Sequence, residues 1–207
     1  MTVIIDYGVG NLFSLASSFR SLGVEAVVSK DPEVIRTAER IVLPGVGAYK
    51  DASDKLRSSG LVPVLKEMVN KGTPLLGICL GMQLLFEKGF EYGEYEGLGL
   101  LKGEVRAISE TIEPGLKIPH MGWNALTFTS PKHPLFAYIE ENDDVYFVHS
   151  YAAVKCEDSV IATTDYGGTL TAAAAKGNVM GCQFHPEKSG KVGLAILKSF
   201  CEMGQAK

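Results

Sequence analysis

Cys79 and His185 are the two residues whose types and surroundings could together do covalent chemistry. Cys79 stands in Gly77-Ile78-Cys79-Leu80-Gly81, after the apolar run 74–78 and before a helical run that opens at Met82. A nucleophile between two glycines at a strand-to-helix turn is lifted out of its sheet, at the carboxyl end of the strand. Such a turn forces strained angles on the cysteine and brings neighbouring chain too close for a Cβ at the glycines. The start of the helix favours a thiolate, and the Leu80 N–H points toward any oxyanion formed at the sulfur. The plainer reading is a buried core cysteine beside a glycine-rich turn. Cys156, Cys182 and Cys201 lack this setting and read as small buried hydrophobes.

A thiolate that attacks an amide needs a base and a proton donor for the leaving amine. His185 ends the strand-like run 179–184 and opens His185-Pro186-Glu187. In an extended segment residues i and i+2 share a side, and Pro186 keeps its predecessor extended. Glu187 is therefore expected to hold one imidazole nitrogen and set the tautomer, leaving the other for Cys79. His133, in Ser130-Pro131-Lys132-His133-Pro134, reads as an exposed loop residue. His120 and His149 adjoin strand-like runs and read as packed or interfacial.

The elements that must position these residues alternate in the first half of the chain. Strands are expected at 3–5, 26–28, 41–43 and 74–78. Helices are expected over 12–22, from the Asp31-Pro32 start, through 61–69 and from 82. The second half reads as strands at 145–148, 160–164, 172–175 and 179–184, with a closing amphipathic helix at 192–201. An α/β fold follows: a mostly parallel sheet with helices, extended by antiparallel strands, in a single unit over 1–207.

Composition narrows the function. The 20 Lys+Arg against 24 Asp+Glu leave no basic block for nucleic acid. No run reaches the roughly 18 apolar residues of a membrane span, and Asp6 interrupts the opening apolar run where a leader would need it. A cytoplasmic protein with free thiols is expected. Two other chemistries are weighed. Gly8-x-Gly10 opens like a dinucleotide fingerprint, but Phe13 occupies the place of the third glycine. Cys182-x-x-His185 has ligand-like residues without a matching second pair, so no metal is expected, and no cofactor.

Gly77-Ile78-Cys79-Leu80-Gly81-Met82-Gln83 and His185-Pro186-Glu187 resemble the class I glutamine amidotransferases, from the first strand to the last helix. Within that class, Asp6-Tyr7-Gly8-Val9-Gly10-Asn11, Leu43-Pro44-Gly45-Val46-Gly47, Pro119-His120-Met121-Gly122-Trp123-Asn124 and Phe147-Val148-His149-Ser150-Tyr151 resemble the glutaminase subunits of imidazole glycerol phosphate synthases. The resemblance implies a flavodoxin-like three-layer fold, glutamine as substrate, and a (β/α)8-barrel cyclase partner in a heterodimer of histidine biosynthesis. It implies Cys79 as nucleophile, His185 as base and acid, and Glu187 as its orienter. It puts a second oxyanion donor in the Gly45-Val46-Gly47 loop, beside Leu80. It gives glutamine binding to Gln83, Glu91, His149, Ser150 and Tyr151. Its partner face would hold Asn11, His120, Met121, Gly122, Trp123, Asn124 and Lys188. An anthranilate-type or pyridoxal phosphate synthase glutaminase is the alternative within the class.

Overall fold

Four short apolar runs, each buried on both faces, form the centre of the computed structural model, which describes residues 1–203. They are β1 (Thr2–Ile5), β3 (Arg40–Leu43), β4 (Leu75–Ile78) and β14 (Val179–Cys182). With β2 (Ala26–Ser29) at the edge they pair in parallel, in the order β2-β1-β3-β4-β14. Three antiparallel strands extend the sheet: β13 (Thr169–Lys176), β12 (Val160–Asp165) and β9 (Thr127–Phe128). The expected mostly parallel sheet with an antiparallel extension is what the chain forms.

Helices cover both faces because alternate strand residues point to opposite sides. Val3, Ile5, Ile41 and Leu43 pack with α2 (Pro32–Arg36), α3 (Tyr49–Ser58) and α4 (Leu61–Asn70). Ile4, Val42, Leu76 and Ile78 pack with α1 (Leu12–Ser21) and α6 (Gly190–Glu202) on the other face. The result is three layers. The chain between Gly47 and Gly72 holds two helices where one stretch is expected. Gly60, at a left-handed φ of 75°, separates α3 from α4.

The helix at Met82 is shorter and earlier than expected. It is a single turn, α5 (Leu80–Gln83). The run 179–184 likewise stops as a strand at Cys182. Two further small sheets flank the site. One pairs β8 (His120–Ala125) with β10 (Asp144–His149) antiparallel. The other joins β11 (Tyr151–Val154), β7 (Glu104–Ala107), β5 (Lys88–Gly89) and β6 (Tyr95–Glu96). Among the described residues no helix is long and apolar enough to cross a membrane.

Candidate active site

Cys79 is the residue where β4 becomes α5, and its φ of 54° and ψ of −113° are not those of a strand or a helix. A strained non-glycine conformation of this kind costs about 1–3 kcal/mol and needs the surroundings to impose it. They do so through backbone. The Cys79 N–H donates to the Cys182 carbonyl at 2.7 Å, which ties the elbow to β14. A Cβ on Gly81 would stand 1.9 Å from the Leu43 carbonyl oxygen, and one on Gly45 would stand 2.6 Å from the Gly81 nitrogen. The elbow and the loop after β3 thus touch backbone to backbone. Gly45 is buried in that contact, while Val46 and Gly47 continue into the cleft.

The cleft has a volume of about 310 Å³ and lies at the carboxyl ends of the parallel strands. It is lined by Cys79, Leu80 and Gln83 from the elbow and α5, by Val46, Gly47 and Glu91, and by Pro119, Val148, His149, Ser150, Tyr151, His185 and Lys188. The Leu80 N–H stands at the first position of a helix, where it has no intrahelical acceptor. With α5 only four residues long, a macrodipole adds little, and what its start can offer a negative charge is the free N–H groups of its first turn.

His185 Nδ1 lies 2.8 Å from Glu187 Oε1, with both side chains almost wholly buried. The expected pairing forms by another route than an extended segment. Residues Pro186–Lys188 make a 3-10 turn, closed by the Lys188 N–H on the His185 carbonyl at 3.0 Å. Burial alone would lower the imidazole's affinity for a proton. Hydrogen bonding and charge from Cys79 and Glu187 outweigh it and push the pKa from 6.5 up to about 9. The balance favours the imidazolium, with Glu187 as the acceptor at Nδ1. Ser189 fixes the turn, donating to the His185 carbonyl at 2.7 Å and accepting the Tyr146 N–H at 2.9 Å.

Several expected contacts differ. Both amide hydrogens of Gln83 are committed, to the Tyr151 carbonyl and to Gln183 Oε1, each at 3.0 Å, so they do not face a ligand. His149 is bonded at both nitrogens, to the Tyr151 carbonyl and to His120. Glu91 is half-buried at the cleft, where Oε2 accepts the Tyr49 N–H at 2.6 Å and so caps α3. His120, read as packed or interfacial, is packed: it is 2% exposed and stacks between Phe147 and Tyr166. Strand alternation explains this: His120 turns inward while Met121 and Trp123 turn out, at 60% and 57% exposure. Asn124 is half-buried and donates to His120 and to the Asp165 carbonyl. Asn11 caps α1 by accepting the Ser14 N–H. Lys188 is exposed at the rim, near the Tyr146 ring that Trp123 meets edge-on.

Two residues were missed from sequence. Tyr7 is buried, and its hydroxyl donates to the Pro44 carbonyl at 2.7 Å, holding the loop that carries Gly45. No local pattern marks it. Gln183 is wholly buried, with Nε2 at 3.7 Å from the Cys79 sulfur. It lies two residues before His185, so the run 179–184 read as a strand would have set it on the side of His185, although the strand itself ends at Cys182.

A doubly wound sheet that presents a cysteine on a strained elbow, beside a buried histidine–carboxylate pair, defines a class of α/β proteins suited to acyl transfer through a thioester. The chain belongs to the class-I glutamine amidotransferase family, whose family model, Glutamine amidotransferase class-I, matches residues 3–203. It is 52% identical over 201 residues to "Imidazole glycerol phosphate synthase subunit HisH" of Lactococcus lactis subsp. lactis, covering 97% of each chain. It is 49% identical to the protein of the same name in Geobacillus, covering 100% of this chain and 99% of the relative. Among solved structures it is similar in fold to PurLQS from Thermotoga maritima, with a TM-score of 0.76, 21% identity and coverage of 97% and 96%. A crystal structure of a glutamine amidotransferase gives a TM-score of 0.75 at 19% identity, with 99% of both chains covered.

Proposed function

We propose that this protein is the glutaminase subunit of an imidazole glycerol phosphate synthase, and that residues 1–207 act as one unit in the cytoplasm. Identity near 50% across almost the whole length of relatives bearing that name carries the reading. The partner in this reading is a (β/α)8-barrel cyclase in a heterodimer. It uses the ammonia to make imidazole glycerol phosphate and an aminoimidazole carboxamide ribotide for histidine biosynthesis. Four free, buried cysteines support a reducing compartment.

In the reaction, the Cys79 thiolate attacks the side-chain amide carbon of glutamine. The carbonyl electrons move onto oxygen, which the Leu80 N–H and an N–H of the Val46-Gly47 loop receive. His185, protonated beside the sulfur, gives its proton to the amide nitrogen as the C–N bond breaks and ammonia leaves. Neutral His185 then takes a proton from water, whose oxygen attacks the γ-glutamyl thioester. Collapse releases glutamate and restores the thiolate. Glu187 holds the imidazolium in place throughout. Ser150, Tyr151 and the free oxygen of Glu91 are the groups in the cleft left to receive the amino-acid end of glutamine.

The experiment is Cys79→Ala in the full chain with its cyclase. Glutamine hydrolysis should disappear while synthesis from added ammonium salt continues. Hydrolysis that survives the substitution would falsify the mechanism.

A further inference from the structure

The carbonyl oxygen of Tyr151 receives two side-chain donors. Gln83 Nε2 reaches it at 3.0 Å and His149 Nδ1 at 2.9 Å. A carbonyl only accepts, so His149 carries its proton on Nδ1 and leaves Nε2 bare. His120 Nδ1 lies 3.0 Å from that bare nitrogen and must donate to it. His120 Nε2 then accepts from Asn124 Nδ2 at 3.3 Å. The Asn124 amide is fixed twice more, by donation to the Asp165 carbonyl at 2.7 Å and by the Ala125 N–H on its oxygen at 2.9 Å.

On the other side of Tyr151 the order continues. The second amide hydrogen of Gln83 goes to Gln183 Oε1 at 3.0 Å. That forces the Gln183 amide nitrogen to the opposite side, where Cys79 Sγ lies 3.7 Å away. No member can reverse alone. Turning either glutamine, or moving a proton on either histidine, would set acceptor against acceptor or donor against donor away from water.

We propose that Gln183 is a second hydrogen-bond donor to the Cys79 sulfur, and that Gln83, His149 and His120 are positioning residues that lock it in that orientation from strand β8. The inference rests on Cys79 being the nucleophile. An N–H donor stabilises the charged sulfur more than the neutral thiol, because bonds to ionised acceptors are roughly twice as strong. Burial pushes both His120 and His149 down to about 4, so the pair stays neutral at working pH and keeps its polarity. The far end of the line is in the strand that exposes Met121 and Trp123.

The test uses the full chain. Nitrogen-15 spectra of the histidines at pH 7 should show His120 and His149 neutral and protonated on Nδ1. Protonation on Nε2 at either ring overturns the line whatever the variants do. Iodoacetamide alkylation, mapped to Cys79 by mass spectrometry, reads the thiolate. Gln183→Met keeps length and loses the donor. It should slow alkylation and lower kcat by about 10-fold or more, with little change in KM. His120→Phe keeps the ring stacked on Phe147 and Tyr166 but breaks the line, and should act in the same direction by about threefold. If Gln183→Met does not fold, His120→Phe decides, and a wild-type alkylation rate there overturns the proposal. The parent reading fails separately: glutamine hydrolysis by Cys79→Ala would remove the nucleophile itself, whereas an inactive Cys79→Ala with unaffected Gln183→Met and His120→Phe removes the line alone.

Discussion

At the scale of single residues the site turns on where His185 keeps its proton. Its ring is buried, which favours the neutral form, yet Cys79 and Glu187 together raise it to about 9. Glu187 has its side chain 1% exposed, and among the described residues its Oε2 has no hydrogen-bond partner. That carboxylate therefore depends on the imidazolium for compensation, and the imidazolium depends on it. Removing the sulfur takes away both contributions that Cys79 makes. In a nuclear magnetic resonance titration His185 should show a midpoint near 9 in the wild type and a lower one in Cys79→Ala. An unchanged midpoint would mean that the thiol and the ring do not interact. The same shift sets the sign of a stability effect. A histidine raised from 6.5 when folded contributes stability in full below pH 6.5 and loses it as the pH climbs through about 9. The melting temperature should fall over that window, and His185→Gln should remove this component of the slope. Glu187→Gln keeps the shape and loses the charge. It should lower kcat much more than it raises KM, since the charge acts mainly while the imidazolium is moving its proton.

At the scale of elements the elbow exists because two turns share one space. Gly81→Ala would drive a methyl group into the Leu43 carbonyl, so α5 must shift from β3. We expect a loss of about 1–3 kcal/mol or more in stability, together with loss of glutamine hydrolysis. Gly60→Ala is the contrast. Its Cβ would meet nothing within 4 Å, and only the left-handed φ of 75° is strained. It should cost about 1–2 kcal/mol and leave kcat alone. If both variants lose activity equally, the elbow contact is not special. The same elements show what the sequence makes legible. β1, β3, β4 and β14 are short apolar runs between turn residues, which is how strands buried on both faces must look. The elbow was legible because Gly77 and Gly81 bracket Cys79 there. α3 was not, because its buried face is Tyr49, Ala52, Ser53 and Leu56, too small and polar to make an apolar stripe. β8 was missed for the opposite reason. It buries His120 and exposes Met121 and Trp123, which inverts the pattern that marks a strand in a closed fold. The line through Gln83 and Gln183 joins positions 100 residues apart in the chain, beyond any local pattern.

At the scale of the whole molecule, the inverted pattern of β8 describes a surface with something still to cover it. Lys188, at the cleft, lies over the Tyr146 ring that Trp123 meets edge-on, and Met121 extends the patch along the strand. Phe13, 80% exposed on α1 just after Asn11, and Val46, 41% exposed in the loop after β3, add apolar area on neighbouring elements. Exposed apolar groups rimmed by charge mark contact sites, and tryptophan is prominent among residues that dominate them. Ammonia released into water takes up a proton and ceases to be a nucleophile, so a glutaminase that serves another chain gains by placing its cleft against the acceptor. We expect Trp123→Ala to leave the melting temperature of the free subunit nearly unchanged, because the residue is 57% exposed and its indole meets Tyr146 edge-on at the surface. In the mixture with the cyclase it should weaken assembly by about 2 kcal/mol or more, roughly 30-fold in Kd, and reduce glutamine-dependent synthesis more than ammonia-dependent synthesis. Calorimetry on the free subunit and titration of the pair measure the two effects separately. A large drop in melting temperature with affinity intact would make Trp123 a folding residue and move the docking face away from β8.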